Sequence, residues 1–490
     1  MFDNMDYLMN DGSSSKNDGI QPKTCCNSGM LGFVFLTFVV AFVGIAIGIT
    51  IAERSSGQAE ISASLETNPT AFDPSRTLLV QDDETKFDTT IHVKSFDKVW
   101  TKIKEAHWEA DLGGVDWDAA KKELRPKVEN AKTIMEARDA MNQLIKRLGK
   151  SHYGIIPAGA YDVVNTKRLG KADAGITFRL SDEKILVAAV RKGSSAEKQG
   201  VQPGWEIVKA GKNESAGFLE KVKAVKSIIR VETIIAFRFE NLVSGAPGDK
   251  VKCVFRKPNP GGKSEEIELD IEVTLPPGNT VKFGNLPEMT IDMESKILDS
   301  NVGYFRFNGF FDPIRLMPAY RKAVKEFESA DGMIIDIRGN GGGMVGMCMG
   351  IAGPLAPTKA PLGVMKMRSS ELKLAVNKSR KPYSKKVAVL VDEASASASE
   401  ILAGGFQDLK IARVFGNRTA GLSLPSTIEK LPNGDGFQYA IANYVSAGGK
   451  ELEGNGVVPD EVVPLTQANL TAEIDPVLKK ALHWIHSTDK

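Results

Sequence analysis

Apolar residues along this chain follow two rhythms. Short apolar runs at residues 302–307, 333–337, 387–391 and 411–415 read as strands buried on both faces, and the stretches between them carry helical spacing. A multi-domain, layered α/β fold is the expectation. Ahead of these runs the spacing is helical. Val99, Trp100, Ile103 and His107 share one face, and a Gly113-Gly114-Val115-Asp116-Trp117 turn follows. Ile134, Ala137, Met141, Leu144, Ile145 and Leu148 then form a second stripe, with Thr133 and Glu136 as a capping box and Gly149 as the stop. Asn433-Gly434-Asp435-Gly436, between apolar residues 428–431 and 437–444, predicts a hairpin, and residues 474–490 predict a closing amphipathic helix.

Residues 30–52 break both rhythms with 23 positions that carry no charge, enough to cross a bilayer as one helix. The preceding segment, 1–29, is net acidic, with Asp3, Asp6, Asp11 and Asp18 against Lys16 and Lys23. That is a poor leader for a cleaved signal peptide, so an uncleaved anchor is expected. Lys16 and Lys23 before the span, with only Arg54 close behind it, predict a cytoplasmic tail and an extracytoplasmic bulk, periplasmic or extracellular. Polar residues 53–86 read as a linker. Cys25 and Cys26 abut the span, where acylation and simple tolerance are both open readings. Cys253 and Cys348 fall in different expected domains and should be free thiols.

Composition narrows the chemistry. At 490 residues, 42% hydrophobic and 25% charged, the chain has room for two or three globular domains. A net charge of +2 leaves no nucleic-acid footprint, and no CxxC, HExxH or Walker pattern supports a metal or nucleotide cofactor.

The candidate chemistry centres on Ser397, which an apolar strand delivers to the start of a helix marked by Ile401, Leu402 and Phe406. The first N–H groups of a helix lack intrahelical partners and carry the positive end of its dipole, so a hydroxyl there sits beside oxyanion donors. Ser397 and Glu400 also form an S-x-x-E capping box, which needs no chemistry, and this alternative stays open. The run Ser395-Ala396-Ser397-Ala398-Ser399-Glu400, followed by Gln407-Asp408, resembles the nucleophile motif of the C-terminal processing, or tail-specific, serine peptidases. Residues 333–343, ending Gly339-Asn340-Gly341-Gly342-Gly343, are similar to that family's strand-to-glycine loop.

The tail-specific branch uses a lysine as general base, and Leu422 stands at the matching position; Lys430 is the nearest alternative. The tricorn-like branch uses a serine-histidine pair ahead of the nucleophile and a glutamate after it. Ser151-His152 and Glu453, with Glu451 as a rival, fit that pattern. The resemblance implies that Ser397 attacks, His152 shuttles the proton, and Glu453 with Ser151 positions the histidine. The N–H groups of Ala398 and of Gly341 or Gly342 would stabilise the oxyanion. Residues 174–273 resemble a PDZ domain, implying peptide capture near Gly175, Ile176 and Thr177, although Trp205 replaces the usual acidic residue after Pro203-Gly204.

The implied architecture is a helical region (87–170), a PDZ-like insert (171–275), a peptidase core of the ClpP/crotonase-like type (281–470) and a terminal helix (471–490). The expected partners are protein or peptide substrates, plus the membrane through one span. The rivals are an inactive member of the fold that binds apolar ligands, which Leu422 keeps open, and a membrane-tethered PDZ scaffold.

Overall fold

A computed structural model describes residues 87–490, apart from 160–171, 225–226, 228, 260–263, 287, 473 and 489–490. The expected membrane span, its tail and the linker lie outside the described residues. Among the described residues no helix is long and apolar enough to cross a membrane.

The described residues open with three helices: α1 (Thr89–Ala106), α2 (Trp117–Glu129) and α3 (Ile134–Lys146). The sequence reading placed Trp117 in a turn. It is instead the first residue of α2, because the Asp116 carboxylate accepts the Ala119 N–H at 2.9 Å and starts a helix whose Trp117, Ala120, Leu124 and Val128 form the buried stripe. Thr133 caps α3 as expected, accepting the Glu136 N–H at 3.1 Å, while the Glu136 carboxylate reaches one residue past the cap, to the Lys132 N–H. Past α3, strand β1 (Gly154–Ile156) pairs with residues 436–438, far along the chain. The three helices close their core on that region through Phe437 and Tyr439, and Arg138 grips the buried Asp435 carboxylate with Nε at 2.9 Å and Nη2 at 2.7 Å.

A second body follows, an antiparallel sheet in the order β2 (Ile176–Ser181), β3 (Lys184–Val190), β4 (Glu206–Ala210), β5 (Lys250–Lys257), β6 (Glu265–Glu272). Helix α4 (Val231–Leu242) lies along the edge strand β2, and Phe178, Ile207, Phe239 and Phe255 form a separate core. Trp205 is buried edge-on to Phe255, so its size fills this core.

The last body is a six-stranded sheet in the order β7 (Met293–Ile297), β8 (Gly303–Phe307), β9 (Gly332–Asp336), β10 (Lys386–Val391), β11 (Arg413–Gly416), β12 (Glu461–Val462). All neighbours are parallel except β7 and β8. Alternate residues explain the apolar runs. Met333, Ile335, Val387 and Val389 face helices α5 (Pro313–Glu326), α6 (Val345–Ala352) and α7 (Ala398–Asp408), whereas Ile334, Ala388 and Leu390 face α8 (Pro476–His486). The strand expected at 411–415 begins two residues later, because Lys410 ends the preceding turn at φ 55°. The hairpin at 433–436 forms between residues 426–430 and 436–440, but the return run splits, and residues 443–446 join another sheet. Cys253 and Cys348 are free and buried, as expected.

Candidate active site

The parallel strands β9 and β10 are neighbours, so the loops after their C-terminal ends meet, as ligand-binding loops do in open α/β sheets. After β9 comes the glycine loop, and after β10 comes the turn into α7 with Ser397 at its N-cap. The two loops are bolted together. Ala396 N–H and Ser399 Oγ both donate to the Asn340 carbonyl, at 3.1 and 2.8 Å, and Ser395 Oγ donates to the Ile337 carbonyl at 2.8 Å. Gly342 lies so close that a Cβ on it would meet Ser397 Cβ at 2.7 Å, and its φ of +105° suits glycine.

Ser397 differs from the serines two residues either side of it. All three are fully buried, yet Ser397 Oγ makes no hydrogen bond among the described residues. The capping alternative is therefore half realised: the Glu400 carboxylate accepts the Ser397 N–H at 3.0 Å, but the Ser397 hydroxyl caps nothing. Its backbone sits at φ 60°, ψ −115°, a costly conformation for a residue with a Cβ, of order 1–3 kcal/mol. Ala398 N–H and Gly341 N–H are likewise unengaged among the described residues. Gly342 N–H is not: it donates to Asn340 Oδ1 at 2.9 Å, which removes it from the expected oxyanion donors in this state.

His152 lies beyond α3 and is buried, also at positive φ (60°). Its Nδ1 is 2.7 Å from Ser151 Oγ, and that hydroxyl is 2.9 Å from Glu453 Oε2. Glu453 also accepts the Ser151 N–H at 2.8 Å and the Ser423 N–H at 3.1 Å, whereas its rival Glu451 is exposed and bonded to Asn443. Burial lowers the His152 ring from its usual ~6.5 to about 3. Burial also raises Glu453, against the hydrogen bonds it receives.

Residues 419–423 join the two halves. Leu422 N–H donates to Glu400 at 2.9 Å while its neighbour Ser423 donates to Glu453, so the serine side and the histidine side hang from adjacent residues. The Leu422 side chain is buried with Ala396, Ala420, Val222, Ile229 and Ile234, and Lys430 is exposed at a strand end. The second body also reaches this turn: Arg179 of β2 is buried and donates Nη2–H to Asp392 Oδ2 at 2.6 Å, while Asp392 Oδ1 accepts the Gly339 N–H at 2.9 Å. Gly175, Ile176 and Thr177 lie at the start of the edge strand, where Gly175 has φ +74° and would place a Cβ 2.4 Å from Ser194 Cβ. Sequence reasoning missed Asn340 and Asp392 as organisers of the loops; the signal was an asparagine inside a glycine run and an aspartate closing an apolar strand.

A parallel α/β core that presents a strained serine at a helix N-terminus beside a glycine loop, with a buried serine-histidine pair backed by a half-buried glutamate at hand, defines the serine-peptidase class of architecture. Residues 301–463 match peptidase family S41, and residues 93–146 match the tricorn protease C1 domain. The chain thus carries a peptidase family S41 domain.

Among relatives, it is 25% identical over 299 residues to a probable CtpA-like serine protease of Staphylococcus haemolyticus, covering 60% of this chain and 53% of that one. It is 24% identical over 392 residues to the carboxyl-terminal-processing protease of Synechocystis, covering 78% and 84%. The chain thus spans about half the length of the first of these relatives. In fold it is similar to a photosystem II D1 C-terminal processing protease (TM-score 0.53, 20% identity, 81% of this chain and 98% of that one). It is also similar to mature CPAF (TM-score 0.57, 14% identity, 82% and 99%).

Proposed function

We propose that this protein hydrolyses protein or peptide substrates through an acyl-enzyme, with Ser397 as nucleophile and His152 as base. In the first step the Ser397 proton passes to the His152 ring as Oγ bonds to the scissile carbonyl carbon. Collapse of the tetrahedral intermediate breaks the C–N bond and returns the proton to the leaving amine; water then repeats the cycle on the ester. Glu453 acts through Ser151, whose hydroxyl holds Nδ1 and leaves the far ring nitrogen for the proton transfer. Ala398 and Gly341 N–H groups receive the oxyanion, and Gly342 joins them only if Asn340 releases it.

The observation that carries this reading is the Ser397 hydroxyl, the one of three alternating buried serines without a hydrogen bond, held on a strained backbone. Such a group costs stability unless it serves another purpose. Leu422 cannot act as a base, which favours the histidine route over a lysine route. The carboxyl-terminal processing named in several relatives suggests cleavage near C-termini, with the sheet edge at Gly175, Ile176 and Thr177 capturing the substrate tail in the manner of a PDZ domain. The uncharged stretch at 30–52 supports a membrane-tethered enzyme with this body extracytoplasmic.

A fluorophosphonate probe tests the reading. Wild type, Ser395→Ala and Ser399→Ala should be labelled and Ser397→Ala should not. Folded wild type that resists labelling would favour an inactive, ligand-binding member of the fold.

A further inference from the structure

The six-stranded sheet is covered on both faces, yet along one side it ends in β7, which among the described residues pairs only with β8. The direction of its spare hydrogen-bonding groups follows from two contacts at its ends: Leu298 N–H donates to the Val302 carbonyl at 2.9 Å, and the Asp292 carbonyl accepts the Asn308 N–H at 3.2 Å. Residues of that parity therefore turn their backbone groups towards β8, while Met293, Ser295 and Ile297 turn theirs outward. Among the described residues nothing bonds to these three. Glu294, Ser295, Lys296 and Ile297 are exposed, and Ile297 retains 48% of its surface.

A bare edge of this kind is an open template for another strand unless its side chains repel one. Here the pattern Met293-Glu294-Ser295-Lys296-Ile297 is self-complementary. An antiparallel copy related by a two-fold axis at Ser295 sets Glu294 opposite Lys296 of its partner, twice, and Met293 opposite Ile297, twice. Three outward residues meet three, for about six new backbone hydrogen bonds at two per pair. Neighbouring registers are disfavoured by the same charges: an axis at Glu294 faces glutamate with glutamate, and an axis at Lys296 faces lysine with lysine. Within one chain Glu294 and Lys296 already pair at 2.8 Å on the same side of the strand, so dimerisation would make a four-charge array of alternating sign. A lysine alone on an edge would oppose pairing; a glutamate placed symmetrically about the centre converts the opposition into a register lock.

We propose that β7 is an interface between two copies of this chain, joining their sheets across a two-fold axis at Ser295. The inference does not depend on the catalytic reading, since β7 lies outside the site.

The test measures the dimer dissociation constant of the detergent-solubilised full chain by sedimentation, for wild type, Glu294→Lys, Lys296→Glu and the double exchange. Each single reversal places two like-charged pairs across the axis and should weaken the dimer at least about tenfold, while the double exchange restores the alternating array and should return the constant to within about threefold of wild type. Ser295→Cys under mild oxidation should give a reducible dimer that wild type, with only its native cysteines, does not give, and adding Lys296→Glu should abolish it. Fluorophosphonate labelling and circular dichroism, unchanged in all variants, show that the fold persists. A wild type that stays monomeric to about 100 µM overturns the proposal. So does a dimer that neither single reversal weakens, or one that the double exchange fails to rescue.

Discussion

Two glutamates hang on either side of residues 419–423, and they differ in where their hydrogen bonds lead. Glu400 collects the N–H groups of Ser397, Gly421 and Leu422 at 3.0, 2.7 and 2.9 Å and the Thr419 hydroxyl at 2.6 Å. Three of its four partners are backbone. Glu453 collects the N–H groups of Ser151 and Ser423, but its remaining bond, to the Ser151 hydroxyl, continues to the His152 ring. The same residue type, fully buried at Glu400 and half-buried at Glu453, fixes a shape in one region and addresses a titratable ring in the other. What separates a fastener from a relay is the next bond along.

Breaking the relay should give the largest effect. His152→Ala removes the proposed proton carrier and should lower kcat by about 10³-fold or more in protein that calorimetry shows still folded, measured by peptide turnover. Lys430→Ala, at an exposed strand end, should retain most activity. Activity kept without His152 and lost without Lys430 would reverse the assignment of the base. Glu453→Gln keeps the shape but misplaces a proton along the relay, so kcat should fall about 10²–10⁴-fold with KM little changed.

Glu400→Gln should act the other way. An amide cannot accept all four donors, so unfolding by denaturant should become easier by about 2–4 kcal/mol, and any activity loss should scale with misfolding. If Glu400→Gln is as stable as wild type but inactive, the distinction between the two glutamates collapses.

The pair also differs in what pH does to it. Burial pushes the Glu400 carboxyl up to about 7. A raised carboxyl favours the fold when protonated, so its contribution is complete below about pH 4.5 and is lost as pH rises through about 7, worth at most about 3 kcal/mol. His152 runs oppositely: held down at about 3, it favours the fold when neutral, and that contribution is lost as pH falls from about 6.5 towards 3, at most about 5 kcal/mol. Stability should therefore sag on both sides. Glu400→Gln should flatten the alkaline side and His152→Asn the acid side, read from denaturation midpoints across the range.

Much of this was legible in the chain because it is local. The buried strands, the capped helix ahead of Ser151-His152 and the serine at a helix start are all written in spacing over a few residues. Helix α2 was hidden because its four apolar positions are interleaved with lysines, glutamates and a proline, and the turn signals ahead of it drew the boundary too late. The choice of Glu453 over Glu451 rests on which side of a loop faces Ser151, a contact across 302 residues that no local pattern encodes. The engagement of Gly342 by Asn340 is short-range, yet it depends on a side-chain rotamer rather than on residue type. At Leu422 the sequence shows an apolar side chain in place of a lysine, but its backbone N–H, which ties the segment to Glu400, cannot be seen from the side chain.

The smallest effects sharpen the comparison at Ser397 itself. If Ser397 were a helix cap, Ser397→Ala should cost about 1 kcal/mol, as lost caps do. Its hydroxyl caps nothing and its φ is 60°, so alanine should be close to neutral, and Ser397→Gly, free to adopt that backbone, should raise stability by about 0.5–1 kcal/mol while abolishing labelling. Ser399→Ala should do the reverse, because its hydroxyl bolts α7 to the Asn340 carbonyl: about 1 kcal/mol lost, labelling retained. A stabilised, inactive glycine variant beside a destabilised, active alanine variant two residues away would show strain stored at one serine and cohesion at the other. Equal losses at both would mean that Ser397 belongs to the framework after all.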